Sequence, residues 1–342
     1  MSEATQKLQT EAIVQDILSS IDREREREII ARRYGLFDRK ETLEQIGELL
    51  GITRERVRQL EKAVITKLRQ SGTSLPHITE VEAVLNEAIT RAGETARISA
   101  LSSELTAENS RTDQSRLAFI TELCPTLSVI GEDDNFYQAA GIAATHDAAA
   151  IKKEVAQIVS SIKKAGTPVE TKNLASVTGL TSSSYATALA SISKQLATLN
   201  GRWGLIKWPT VNPKNIRDKI YVILSENGKH MHFNEIAEAI KESDFKRKDV
   251  TTQAIHNELI KDKRFVLIGR GIYALKEWGY KQGTVSDIIA DVLKKAGEPL
   301  HRDEIVKRVL KSRFVKETTI LLNLQSKSQF KRVAKATYEL GE

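Results

Sequence analysis

Residues 42–69, TLEQIGELLGITRERVRQLEKAVITKLR, are the stretch on which the reading of the chain turns. Thr42 and Gln45 stand at the spacing of a capping box, in which each side chain satisfies an orphan backbone donor of the other. A helix is therefore predicted to start here. Leu43, Ile46, Leu49 and Leu50 recur at helical spacing, and Gly51 supplies a sharp turn. Thr53 is a good N-cap for a second helix with the apolar stripe Val57, Leu60, Val64 and Leu68. Glu55, Gln59 and Lys62 lie opposite that stripe, with Arg58 on its shoulder and Arg54 at the N-terminal tip. A short helix, a glycine turn and a second helix with planar polar side chains near its start is a helix-turn-helix that reads a major groove. Arginine is bidentate to guanine, glutamine to adenine, and glutamate accepts from cytosine, so Arg54, Glu55, Arg58 and Gln59 are the candidate base readers. Thr53, Arg56 and Lys62 are candidate backbone contacts. Without the box and the turn, the charge run alone would read as an ordinary solvated helix face.

Over residues 25–70 the segments REREIIARRYGL, TLEQIGELLGI and TRERVRQLEKAVITKLR follow in an order and spacing that resembles region four of the primary sigma factors of bacterial RNA polymerase. The resemblance is confined to the first fifth of the chain. It implies that the second helix contacts an upstream, minus-thirty-five promoter element, with Arg54, Glu55, Arg58 and Gln59 at base edges and phosphates. It also implies core RNA polymerase as a partner, with the preceding helix docked on the flap of the β subunit. No segment resembles region two, the module that melts promoters in that family, so promoter opening by this chain unaided is not expected.

Working outward, residues 1–20 read as a short amphipathic helix carrying Leu8, Ile13, Ile17 and Leu18. Residues 21–36 read as the next helix. Its alternating Arg and Glu give opposite signs at i,i+3 and like signs at i,i+4, which nearly cancel, so this is a solvated face. Ile29, Ile30 and Leu36 are left to pack on the helix-turn-helix.

After Gly72 the chain repeats itself weakly. VLNEAITRAGE, IVSSIKKAGTP, VILSENGKH and DVLKKAGEP each read as an apolar helix ending at a glycine turn, at Gly93, Gly166, Gly228 and Gly297. Two further helices follow each, and then a β-prone pair such as LATLNGRWGLIKW or FVLIGRGIYALKEW that reads as a tight hairpin. Three helices and a hairpin make a winged helix. The fold class is thus mainly α: a sigma region-four-like helix-turn-helix over residues 1–72, followed by tandem winged-helix modules. The expected modules are 76–138, 148–209, 213–280 and 284–342, with linkers at 72–76, 141–150, 209–213 and 279–284.

The module over 213–280 resembles the HARE-HTH winged helix, also found in the delta subunit of Gram-positive RNA polymerase, through HFNEIAEAI and RFVLIGRGIYALKEWGY. Lys246, Arg247 and Lys248 before its third helix, Arg264 at the first wing strand and Arg270 at the tip are candidate DNA-backbone contacts. Gln253, His256 and Asn257 are the few side chains its third helix offers toward bases. The delta-subunit resemblance leaves protein docking open as the alternative. The last module resembles it more loosely and lacks the Gly-Arg-Gly turn.

The net charge of +7 is unevenly placed. Residues 73–150 carry 4 basic against 12 acidic side chains, whereas residues 211–342 carry 26 against 18. The module over 76–138, with Glu132, Asp133 and Asp134 at its wing tip, is therefore expected not to bind DNA. It should instead dock a basic protein surface or pack on a neighbouring module. Aromatics at 5% favour small helical modules, and hydrophobic content of 40% supports folded cores. The single cysteine, Cys124, excludes an internal disulfide framework and reads as a small buried side chain. No apolar run approaches about 18 residues, and the polar N-terminus is not a signal peptide; a cytoplasmic, nucleoid-associated protein without membrane contact is expected.

Phosphate loops, His-Glu-x-x-His pairs and Gly-x-Ser-x-Gly elbows are missing, and the histidines are scattered, so neither an enzyme nor a metal or cofactor is expected. The functional reading is a DNA-binding transcription factor of the sigma type acting with bacterial RNA polymerase in initiation. A protein-interaction scaffold and the DNA-targeting subunit of a defence or modification system are the alternatives.

Overall fold

The computed structural model describes residues 7–144, 147–245 and 249–341. It falls into two compact units, Met1–Lys207 and Trp208–Glu342. The first opens with α1 (Thr10–Ser19), α2 (Glu24–Tyr34), α3 (Leu43–Leu50) and α4 (Arg54–Ser71). A first repeat follows as α5 (Ile78–Arg91), β1 (Thr95–Arg97), α6 (Ile98–Leu105), α7 (Arg111–Leu123), β2 (Leu127–Ile130) and β3 (Ala139–Ile142). The second is α8 (Ala148–Ala165), β4 (Val169–Glu170), α9 (Leu174–Thr178), α10 (Ser183–Ile192), β5 (Leu196–Leu199) and β6 (Arg202–Leu205).

The other unit holds two further repeats of the same order. One is α11 (Ile216–Asn227), β7 (Met231–His232), α12 (Phe233–Glu242), α13 (Thr252–Lys261), β8 (Phe265–Gly269) and β9 (Ile272–Leu275). The last is α14 (Val285–Ala296), β10 (Leu300–His301), α15 (Arg302–Leu310), α16 (Glu317–Ser326), β11 (Phe330–Ala334) and β12 (Thr337–Leu340).

Each repeat is thus three helices and a hairpin, plus a strand that the sequence did not reveal. The two- or three-residue strand after the glycine turn pairs antiparallel with the last strand, giving the order first, third, second in every sheet. Alternation cannot be read from so few residues. The glycine turns are where the spacing put them: Gly93, Gly166, Gly228 and Gly297 all have positive φ, a conformation that costs glycine little. Asn200 (φ 48°) and Gly201 (φ 69°) close the β5–β6 hairpin, the tight turn expected of an Asn-Gly pair.

Packing departs from the expected boundaries. Gly72–Ser74 is a single 3-10 turn, and one continuous core runs from Ile13 through Ile30, Leu68 and Leu75 to Phe119 and Ala140. The stretch expected to be a linker at 72–76 is anchored at Leu75, which is only 6% exposed within that core, while Thr73 and Ser74 stay exposed. Ile30 and Leu36 face this larger core, while Ile29 alone joins Ile46 and Val57 in the small core of the helix-turn-helix. The stretch expected as a linker at 141–150 begins inside β3. Gly141 reads as a linker glycine but lies in the sheet, where a Cβ would come within 2.6 Å of Ile151 Cδ1. The last strand of the first repeat thus runs beyond residue 138.

Candidate nucleic-acid interface

The helix-turn-helix is built as its sequence dictates. Thr42 N–H donates to Gln45 Oε1 (2.9 Å) and Gln45 N–H donates to Thr42 Oγ1 (3.2 Å), closing the capping box of α3. Gly51 ends α3 in the left-handed region, at φ 64° and ψ 37°, and Thr53 Oγ1 accepts from the Arg56 N–H at 3.2 Å to cap α4. Thr53 is committed to this cap through its side chain. Val57, Val64, Ile65 and Leu68 are the buried stripe of α4. Leu49, expected in the apolar face of α3, is 54% exposed instead.

Arg54, Glu55, Arg56, Arg58, Gln59 and Lys62 are all exposed on α4. Four of them form one network along the helix. Arg58 donates through Nε (2.8 Å) and Nη2 (2.6 Å) to the two oxygens of Glu55. Gln59 Nε2 donates to Glu55 Oε1 at 3.4 Å, and Arg56 Nη1 donates to Gln59 Oε1 at 3.4 Å. Hydrogen bonding from Arg58 holds the Glu55 carboxyl below the usual carboxylate range, and Glu55 in turn raises Arg58. Planar donors and acceptors at 55, 58 and 59 are thus held in register with one another. Among the described residues, Arg54 and Lys62 make no side-chain hydrogen bond or ion pair.

What fixes α4 in space is α7, the third helix of the first repeat. Arg69 near the end of α4 donates to Glu122 Oε1 at 2.8 Å and to its carbonyl at 3.1 Å. Tyr34 O–H donates to Glu122 Oε2 at 3.0 Å, and its ring meets Phe119 edge-on at 5.1 Å between centroids. Burial first, and then the Glu122 charge, push the Tyr34 hydroxyl pKa far upward. Arg116 Nε donates to the Leu36 carbonyl at 2.7 Å, and α1 closes the bundle through a Glu11–Arg116 ion pair at 2.7 Å. Cys124, at the end of α7, is buried, and its thiol is pushed up to about 12 by desolvation.

The acidic tip of the first repeat is exposed, yet two of its carboxylates reach side chains of the second repeat. Glu132 pairs with Lys194 at 2.8 Å, Asp133 pairs with Lys152 at 3.5 Å, and Tyr137 N–H donates to the Ile192 carbonyl at 2.9 Å. The Asn135 and Phe136 amides hold the Asp133 carboxyl below its ordinary range. Of the two expected alternatives, packing on a neighbouring module is the one this geometry forms.

In the third repeat the candidates separate. Lys246, Arg247 and Lys248 lie outside the described residues. Arg264 is not free for a phosphate: it pairs with Asp262 at 2.7 Å and with Asp218 at 3.2 Å, both largely buried. Arg270 is exposed at the hairpin tip, where the following Gly271 has φ 71°. His256 is turned inward, its ring 5.0 Å from Phe233 and 6.2 Å from Tyr273. Gln253 and Asn257 stay exposed and bond each other at 3.1 Å.

Comparison with known proteins singles out the same segment as the geometry. Residues 23–70 match the family model described as sigma-70, region 4. This segment is a sigma-70 region 4 domain. The region 4 domain is similar to part of the RNA polymerase sigma factor SigA of a Bacillus species, with 42% identity over 62 residues. It is also similar to the RNA polymerase sigma factor SigA1 of Synechococcus elongatus, with 47% identity over 57 residues. Those matches take in 18% and 16% of this chain and span 16% and 14% of the two relatives.

Several residues that shape the region 4 domain escaped sequence reading. Gly47 sits where the two helices cross, and a Cβ there would meet the Ile52 carbonyl at 2.7 Å; a glycine in the middle of a predicted helix was the available signal. Arg25 donates through Nη2 to the Leu50 carbonyl, satisfying the end of α3. Tyr34, Arg69 and Glu122 left no mark, since pairs separated by 53 and 88 residues have no local spacing. Among the described residues no helix is long and apolar enough to cross a membrane.

Proposed function

We propose that the protein is a DNA-binding transcription factor of the sigma type that acts with bacterial RNA polymerase in initiation. In this reading α4 enters the major groove of a minus-thirty-five-like element. The observation that carries it is the exposed set Arg54, Glu55, Arg58 and Gln59 on the first two turns of a capped helix whose opposite face is buried. Arg56 and Lys62 flank the set as backbone contacts, and the Thr53 hydroxyl, whose oxygen caps α4, keeps its proton to donate to a phosphate.

The four repeats have the helix order and sheet order of winged helices, and we take residues 213–280 as a HARE-HTH module tracking DNA backbone through Arg270. The scaffold reading gains support in the first repeat alone, where the third helix and the acidic tip face other parts of the chain. Selection of binding sites from random DNA tests the proposal. Wild type should enrich a defined element, Gln59→Ala should lose preference at particular positions of it, and core polymerase should co-purify from a bacterial extract. Equal enrichment profiles for the two proteins would remove the base-reading role.

A further inference from the structure

Arg313 lies between α15 and α16 and is only 5% exposed. Its guanidinium donates to the carbonyls of Leu267 on β8 and Gly283 ahead of α14. Its Nε is buried and has no acceptor among the described residues. Asp287, the carboxylate whose charge reaches Arg313, is committed to the Thr284 N–H and hydroxyl in the cap of α14. Desolvation accordingly lowers the Arg313 pKa. A buried charge without a paired counter-ion is costly, and an incoming carboxylate would relieve it.

The guanidinium lines an open cleft of about 510 Å³ between the third and fourth repeats. Leu259, Ile260, Leu267, Tyr273, Val285 and Val315 supply most of the wall, Arg270 stands in it as a second cation, and among the described residues no Asp or Glu lines it. The wall's Ile260 (65%) and Leu267 (49%) are themselves exposed, and Phe314, next to Arg313 outside the lining, is 54% exposed. Large exposed apolar side chains grouped beside a cleft mark an interaction surface rather than ordinary solvent-facing residues.

We propose that this cleft docks a peptide segment of a partner protein in which apolar side chains alternate with carboxylates. The apolar side chains cover Ile260 and Leu267, and a carboxylate completes the donor set of Arg313. A small carboxylate would satisfy the arginines and leave Ile260 and Phe314 bare. A nucleic acid would satisfy the arginines and gain nothing from the aliphatic wall. Recognition runs through side chains, because the Phe314 N–H already occupies the Ile268 carbonyl at 2.9 Å on the outer edge of β8.

Fluorescence anisotropy on the full chain tests this with labelled synthetic peptides of leucine–glutamate, leucine–lysine and serine–glutamate repeats. The leucine–glutamate peptide should bind about tenfold or more tightly than either control, a gap of about 1.4 kcal/mol. Leu267→Asp, at an exposed position, should weaken it by a similar factor. Arg313→Lys, which keeps the charge and loses the fork, should weaken it severalfold. Serine–glutamate binding as tight as leucine–glutamate would show plain attraction of a polyanion to a basic chain and overturn the proposal. So would undiminished binding by Leu267→Asp.

Discussion

The first and third repeats have one topology and use their third helices in opposite ways. In α7, Leu117, Ala118, Phe119, Ile120 and Thr121 are all buried. In α13 only Ile255 and Leu259 are, while Gln253, Asn257 and Ile260 face solvent. The first repeat gives its third helix to α1, α2 and α4 and becomes the mount of the region 4 domain. The third leaves one face of that helix exposed, while its first hairpin strand accepts from Arg313 and Phe314 of the fourth repeat. Topology therefore does not decide which third helix is buried by its neighbours; the side chains on it do.

The comparison breaks most readily at Phe119. Phe119→Ala should cost about 3–5 kcal/mol, as truncation of a fully buried aromatic does. Because Tyr34 rests on that ring, amide hydrogen exchange should accelerate in α2 and α4 as well as in α7. The matching truncation in the third repeat, Ile255→Ala, should leave α4 untouched. Unchanged protection of α4 in Phe119→Ala would mean that the region 4 domain stands without its mount.

Next come the two classes of contact on α4. Arg54→Ala should cost about 1–3 kcal/mol against a selected site and relax base preference there. Lys62→Ala should weaken every sequence alike, since a phosphate contact carries no base information. Competition titrations with selected and scrambled duplexes distinguish the two.

A sharper contrast lies within the third repeat. Arg264→Ala removes ion pairs from two largely buried aspartates and should destabilise its unit by about 1–2 kcal/mol, with no change in the salt dependence of DNA binding. Arg270→Ala should leave stability alone and reduce the slope of log affinity against log salt by about 0.9. Denaturant melts and salt titrations of both variants give the answer.

The smallest effect belongs to the acidic tip. The lowered Asp133 pKa means that its contribution is present above the ordinary aspartate range and is lost as pH falls through the depressed folded value. The contact between Asp133 and Lys152 should persist at neutral pH and loosen only in acid, and Asp133→Asn should remove that acid dependence. Carbon-detected NMR titration of the carboxylate would follow it.

Sequence reading recovered what local spacing encodes. The Thr42–Gln45 box, the Gly51 turn, the stripe Val57, Val64 and Leu68 and the glycine turns of the repeats were all legible, because each is a relation between residues a few positions apart. It missed what distance creates. Leu49 looks apolar and periodic yet lies exposed, Arg264 looks like a wing cation yet is held by Asp218 and Asp262, and residues 72–76 look like a linker yet are anchored by the buried Leu75. The fates of Arg264 and Leu75 depend on partners elsewhere in the chain that periodicity cannot supply.

The fork between Glu55 and Arg58 has a bearing on how the proposed base reading would discriminate. Without DNA, Arg58 already has a bidentate acceptor at 2.6–2.8 Å, so its engagement with guanine is an exchange of partners rather than a capture. A sequence that draws Arg58 away without offering Glu55 a donor leaves a bare carboxylate facing a phosphate-rich groove. Two adjacent positions of the element would then be read jointly, and an error at either would be felt at both.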